Sequence, residues 1–86
     1  MARQTVDIKN ETGLHARPAS EFTKIAATLK CGVFLEKEGK KVNAKSILGV
    51  LSLAIGKGNQ VDIITEGEGE EEGLVKLVTF VNGLTD

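Results

Sequence analysis

The chain contains no tryptophan and no tyrosine, and its only aromatic side chains are Phe22, Phe34 and Phe80. Its core must therefore be aliphatic. The aromatic platforms on which single-stranded nucleic acid stacks are missing, so no direct nucleic-acid partner is expected. Cys31 is the sole cysteine, which excludes an internal disulfide framework and makes a reducing compartment the default. One histidine and one cysteine cannot assemble a zinc site, so no metal is expected. The first residues alternate as a strand does and carry no apolar core of a signal peptide. The most apolar run, Ile47 to Ile55, is far too short to span a bilayer, so no membrane insertion is expected. Together these point to the cytoplasm.

What remains is a chain of 86 residues, 41% hydrophobic and 27% charged. That composition is globular rather than disordered, and the length supports one domain, residues 1–86. The net charge is −1, but it is unevenly spread. Residues 1–57 hold ten basic and five acidic side chains, whereas residues 58–86 hold one basic and seven acidic. A basic part and an acidic part within one domain suggest a face that meets an acidic or phosphorylated partner.

Hydrophobic periodicity divides the chain into seven elements. Residues 2–9 alternate, with Ala2, Gln4, Val6 and Ile8 on one side, as a half-buried strand does. From Ala19 onward Phe22, Ile25, Ala26 and Leu29 fall at helical spacing, with Pro18 tolerated only in the first turn and an end near Lys30. Val33–Glu36 and Lys40–Asn43, joined through Lys37-Glu38-Gly39, read as a hairpin. Ser46 can cap a short helix from Ile47 to Leu53. Val61–Thr65 is a β-branched strand. Leu74, Leu77, Val78 and Val81 mark a last helix, with glutamates 70–72 at its positive end and Asn82-Gly83 as its stop. The order β-α-β-β-α-β-α, with one apolar stripe on each long helix, predicts an α+β two-layer open-faced sandwich. Its four-stranded antiparallel sheet carries three helices on one face and leaves the other to solvent.

Most candidate motifs fail. Gly56-Lys57 is followed by Gly58 where a phosphate loop needs Ser or Thr, and Gly67-Glu68-Gly69 lies among glutamates that would repel a dinucleotide. The region around His15 is different. Gly13-Leu14-His15-Ala16-Arg17-Pro18-Ala19 places the lone histidine just before a helix, where the first N–H groups lack intrahelical acceptors. Those donors and the helix dipole favour an anion. Pro18 removes one donor, leaving the amides of Ala16 and Arg17 to face a phosphate, and the Arg17 guanidinium can grip its oxygens. Imidazole is nucleophilic near neutral pH. These residues are compatible with a phosphoryl acceptor, although a lone histidine at a helix start is more often a cap or a surface residue.

The same string resembles the phosphohistidine motif of the HPr family, the histidine-containing phosphocarriers of the bacterial sugar phosphotransferase system. Val42-Asn43-Ala44-Lys45-Ser46-Ile47-Leu48-Gly49-Val50 resembles the family's regulatory serine region, so the likeness spans essentially the whole chain. It implies that His15 accepts a phosphoryl group, through Nδ1, from enzyme I and passes it to IIA domains of sugar permeases, with Arg17 stabilising the group. It implies no bound cofactor, and a carrier that is a substrate of enzymes rather than an enzyme itself. Ser46 resembles the serine modified by HPr kinase/phosphorylase. In the family the serine-phosphorylated form acts with the catabolite control protein in carbon catabolite repression. Without the resemblance, Ser46 reads as a simple helix cap, which is compatible with the regulatory role.

The short helix carries more apolar residues than one buried stripe can hold. Ile47, Leu48 and Leu51 are expected to be exposed and to form, with Ser20, Lys24 and Lys45, a docking rim for partners; packing under the sheet is the alternative. Leu48 and Leu51 stand where many relatives have methionine or phenylalanine, and Ala54 where glycine is frequent. Retention of His15 argues against the family's regulatory paralogue, which keeps the serine and has lost the histidine. A nitrogen-branch carrier paralogue and a pure interaction module are the other readings. A monomer is expected.

Overall fold

A computed structural model describes residues 1–84. It contains strand β1 (Ala2–Asp7), helix α1 (Ala16–Thr28), strands β2 (Gly32–Lys37) and β3 (Lys40–Asn43), helix α2 (Ile47–Ser52), strand β4 (Gln60–Glu66) and helix α3 (Glu70–Asn82). The strands form one antiparallel sheet in the order β1-β4-β2-β3, with the three helices packed on one face. This is the open-faced sandwich that the periodicity predicts.

Elements begin and end for local reasons. The β2–β3 hairpin pairs Lys37 with Lys40, leaving Glu38 and Gly39 as a two-residue turn. Both have positive φ, 51° and 83°, the pair of values whose twist suits a tight hairpin. Helix α1 starts three residues earlier than the apolar spacing indicates, at Ala16, and Pro18 sits in its first turn. Gly83 follows α3, but its φ of −91° is right-handed, so the helix stops without the left-handed cap that a glycine there suggests.

The core lies between the sheet and the helices. Val6, Val33, Leu35, Val61 and Ile63 enter it from the strands, and Phe22, Ala26, Val50, Leu77 and Val81 from the helices. Phe22 is fully buried, and its ring meets that of Phe80 at 6.2 Å between centroids, joining α1 to α3. The opposite face of the sheet is not simply left to water. Ile64 is 1% exposed although it belongs to that outer face, because its cross-strand neighbours are Arg3 and Phe34. The Arg3 guanidinium bridges Glu36 at 2.6 Å and Asp62 at 3.4 Å, and the Lys41 ammonium lies 4.6 Å from the Phe34 ring centroid. A layer of charged and aromatic side chains thus shields one apolar residue.

The start of the chain is tied to α3. The Met1 ammonium bridges the Glu70 carboxylate at 2.7 Å, and the same carboxylate accepts from the Gly67 N–H at 2.9 Å. The bond to Glu70 raises the Met1 amine above its ordinary pKa. The bonds from Met1 and Gly67 hold the Glu70 carboxyl below its own. The carboxyl's contribution to stability is therefore present above the ordinary carboxylate pKa and fades as pH falls through the lowered value. The amine's is present below its ordinary pKa and fades as pH rises through the raised one. Thermal unfolding should show Glu70→Gln below wild type by a steady margin between about pH 5 and about pH 7.5, with the margin shrinking on both sides.

Candidate functional site

His15 is the residue immediately before α1. It has extended backbone (φ −89°, ψ −167°), its ring makes no capping bond, and it is exposed. Its carbonyl accepts the Ala19 N–H at 2.8 Å, closing the first turn. Ala16, Arg17 and Pro18 are the first three helical residues. The amides of Ala16 and Arg17 have no intrahelical acceptor, and Pro18 has no N–H to offer. Arg17 points into water with its side chain 81% exposed, and its Nε lies 3.5 Å from Glu21 Oε1 one turn on. An exposed imidazole, two amides at the positive end of a thirteen-residue helix and an exposed guanidinium together suit an anion such as a phosphoryl group.

The loop before His15 is held tightly. Gly13 has φ +62°, and a Cβ there would lie 2.4 Å from the Ile55 carbonyl oxygen and 2.6 Å from Gly56 Cα. The Leu14 N–H donates to that same carbonyl at 3.1 Å, and the Leu14 side chain is 1% exposed. His15 is therefore projected from a residue anchored in the core. A few residues away, Ala54 also has positive φ, 50°. Glycine at that place would remove a backbone cost rather than alter chemistry.

Ser46 precedes α2 as the sequence indicates. Its Oγ accepts the Gly49 N–H at 3.4 Å, a long bond that leaves the hydroxyl exposed. Leu48 is 77% exposed, Leu51 39% and Ile47 38%, whereas Val50, Leu53 and Ile55 are buried. The expected apolar patch is present on α2, which packs beside α1.

The expected basic rim is less uniform. Ser20 is half-buried and Lys24 exposed, both on α1. Lys24 also lines a cleft between α1 and α3, with Ile25, Val75 and Phe80. Lys45 donates its Nζ to the Leu29 carbonyl at 2.8 Å. Leu29 closes the far end of α1, about 20 Å along the helix axis from His15 at 1.5 Å per residue. Lys37 donates to the carbonyls of Leu53 and Ala54, each at 3.1 Å, and Lys40 to that of Ser52 at 3.5 Å. Three lysines of the basic half thus satisfy helix-end carbonyls. Periodicity could not reveal this, because each bond joins residues more than ten positions apart.

The chain thus combines an open-faced sandwich with a histidine exposed at the start of its first helix. Comparison with known proteins identifies its family. The family model for the PTS HPr component phosphorylation site matches residues 2–83, and the chain belongs to the HPr family of phosphocarriers. It is 51% identical over 81 residues to the HPr-like protein Crh of Bacillus subtilis, covering 94% of this chain and 95% of that one. It is 39% identical over 83 residues to the phosphocarrier protein HPr of Neisseria meningitidis, covering 96% and 93%. Among solved structures, HPr-C-His of Thermoanaerobacter tengcongensis superimposes with a TM-score of 0.93 at 46% identity, covering 95% of this chain and 92% of that one. Crh itself, solved as a domain-swapped dimer, gives 0.78 at 48% identity, covering 100% and 99%.

Two substitutions test the loop from opposite sides. Gly13→Ala should destabilise by more than about 2 kcal/mol, since it adds the left-handed penalty to a collision with backbone. Ala54→Gly should stabilise by up to about 1 kcal/mol, the same penalty being relieved and partly offset by chain entropy. Urea titrations of the two variants beside wild type measure both shifts.

Proposed function

We propose that the chain is a phosphocarrier whose acceptor is His15. The Nδ1 lone pair attacks the phosphorus of phospho-enzyme I, the bond from phosphorus to enzyme I breaks, and the group later leaves His15 for a IIA domain of a sugar permease. The observation that carries this reading is the exposed His15 ring at the first turn of α1, free of any capping bond and flanked by Arg17. The amides of Ala16 and Arg17 stabilise the negative oxygens while the group is held. The shallow setting suits a group that must depart as readily as it arrives. Ile47, Leu48 and Leu51 dock both partners, with Ser20 and Lys24 beside them. Lys45 contributes from the far end of α1 by holding α2 against it.

Ser46 is the regulatory site, modified by HPr kinase/phosphorylase. Its hydroxyl is exposed between the capped turn and the apolar side chains of α2. A dianion there places charge against the surface that meets enzyme I, and creates one for the catabolite control protein. The likeness to Crh, described as the catabolite repression HPr of Bacillus subtilis, supports this regulatory role as a second function. His15 distinguishes the carrier reading from a purely regulatory one. The relay operates in the cytoplasm, with the monomer as the transferring form.

Intact mass after incubation with enzyme I, magnesium and phosphoenolpyruvate tests the acceptor. The gain of one phosphate, labile in acid, stable in base and absent from His15→Ala, is the expected result. No gain with a competent enzyme I would sink the carrier reading and leave the regulatory one. Ser46→Asp should raise the KM for phosphorylation by about tenfold, equivalent to about 1.4 kcal/mol of lost binding.

A further inference from the structure

We infer that Asn10 is a positioning residue for phosphoryl transfer at His15. The inference rests on the reading of His15 as the acceptor. Asn10 lies in the loop between β1 and α1 and is 5% exposed. Its carbonyl accepts the Gly13 N–H at 3.2 Å, and its Nδ2 donates to the Gly13 carbonyl at 2.9 Å. The peptide plane joining Gly13 to Leu14 is thereby held on both polar edges. Its carbonyl is bonded to Asn10 and its N–H to the Ile55 carbonyl. His15 is the next residue. While both bonds stand, this plane cannot rotate, and the direction in which the backbone delivers the imidazole is set.

The side chain achieves this at a cost. With Nδ2 turned toward Gly13, Oδ1 faces away, buried and without a hydrogen-bond partner among the described residues. An unpaired buried acceptor lowers stability, a loss set against the bond that Nδ2 makes to the Gly13 carbonyl. A local rule broken beside the reacting residue is what a group serving geometry rather than stability produces. Transfer requires the ring nitrogen in line with the incoming phosphorus, where a displacement of about 1 Å costs about a hundredfold in rate.

The test is the steady-state phosphorylation of wild type, Asn10→Ala and Asn10→Ser by phospho-enzyme I, each at a temperature at which it is folded. Asn10→Ala should lower kcat about tenfold or more with KM within about twofold of wild type, because the docking side chains on α2 are untouched. Asn10→Ser, whose hydroxyl can still donate to the Gly13 carbonyl, should recover part of the loss. A folded Asn10→Ala with wild-type kcat, or a defect confined to KM, overturns the inference. So does a melting temperature that falls while kcat does not. Should the alanine variant not fold, Asn10→Asp, of equal size but without the donor, is read against the same outcomes. A wild-type chain that takes no phosphate is a different failure, that of the acceptor reading itself, and the inference falls with it.

Discussion

The hydrogen bond from the Leu14 N–H to the Ile55 carbonyl is the tie on which this end of the molecule depends. It brings the loop that leads into α1 against the loop that leads out of α2. No Cβ fits between the two backbones, which is why residue 13 is glycine. Leu14 can then enter the core, and the chain emerges at His15 already aimed into α1. The same junction is reinforced further out. Ile8 exchanges backbone bonds with Gly58 and Asn59, and Lys57 bridges Glu11 at 2.8 Å. The exposed His15 is thus mounted on a backbone pinned by several bonds, the arrangement that positioning would demand of a site with no enclosing walls.

The helix ends complement this. The carbonyl end of α1 is closed by Lys45 and that of α2 by Lys37 and Lys40, whereas the first turn of α1 holds no acidic residue and Arg17 pairs with Glu21 one turn on. Positive side chains are used where the helices are negative. The positive end of α1 is left facing outward. An anion placed at the exposed His15 would face that positive end without being buried.

Much of the architecture could be read from local pattern. Phe22, Ile25, Ala26 and Leu29 define α1, and Glu38-Gly39 defines the hairpin, because these signals lie within one or two turns of chain. The string from Gly13 to Ala19 marks the site for the same reason. Other features arise only when distant segments meet. Nothing in the local pattern singles out Asn10 until the fold brings Gly13 back onto it. Ile64 lies within the β-branched run Val61–Thr65, and only the register shows that it sits between Arg3 and Phe34 on the outer face. The lysines count toward a basic surface until three of them are found bonded to carbonyls. Ala54 looks chemically neutral until its backbone angle shows that it occupies a conformation suited to glycine.

The short third strand has a consequence of its own. β3 is an edge of the sheet, four residues long, and its sequence is Lys40-Lys41-Val42-Asn43. Its outer row of backbone donors and acceptors could template another strand. Two adjacent ammonium groups, one folded over the Phe34 ring and one bonded to α2, make approach by a like copy unfavourable. This edge is thus guarded against sheet extension, and Ile47, Leu48 and Leu51 leave an exposed apolar surface on α2, a helix that offers no strand edge.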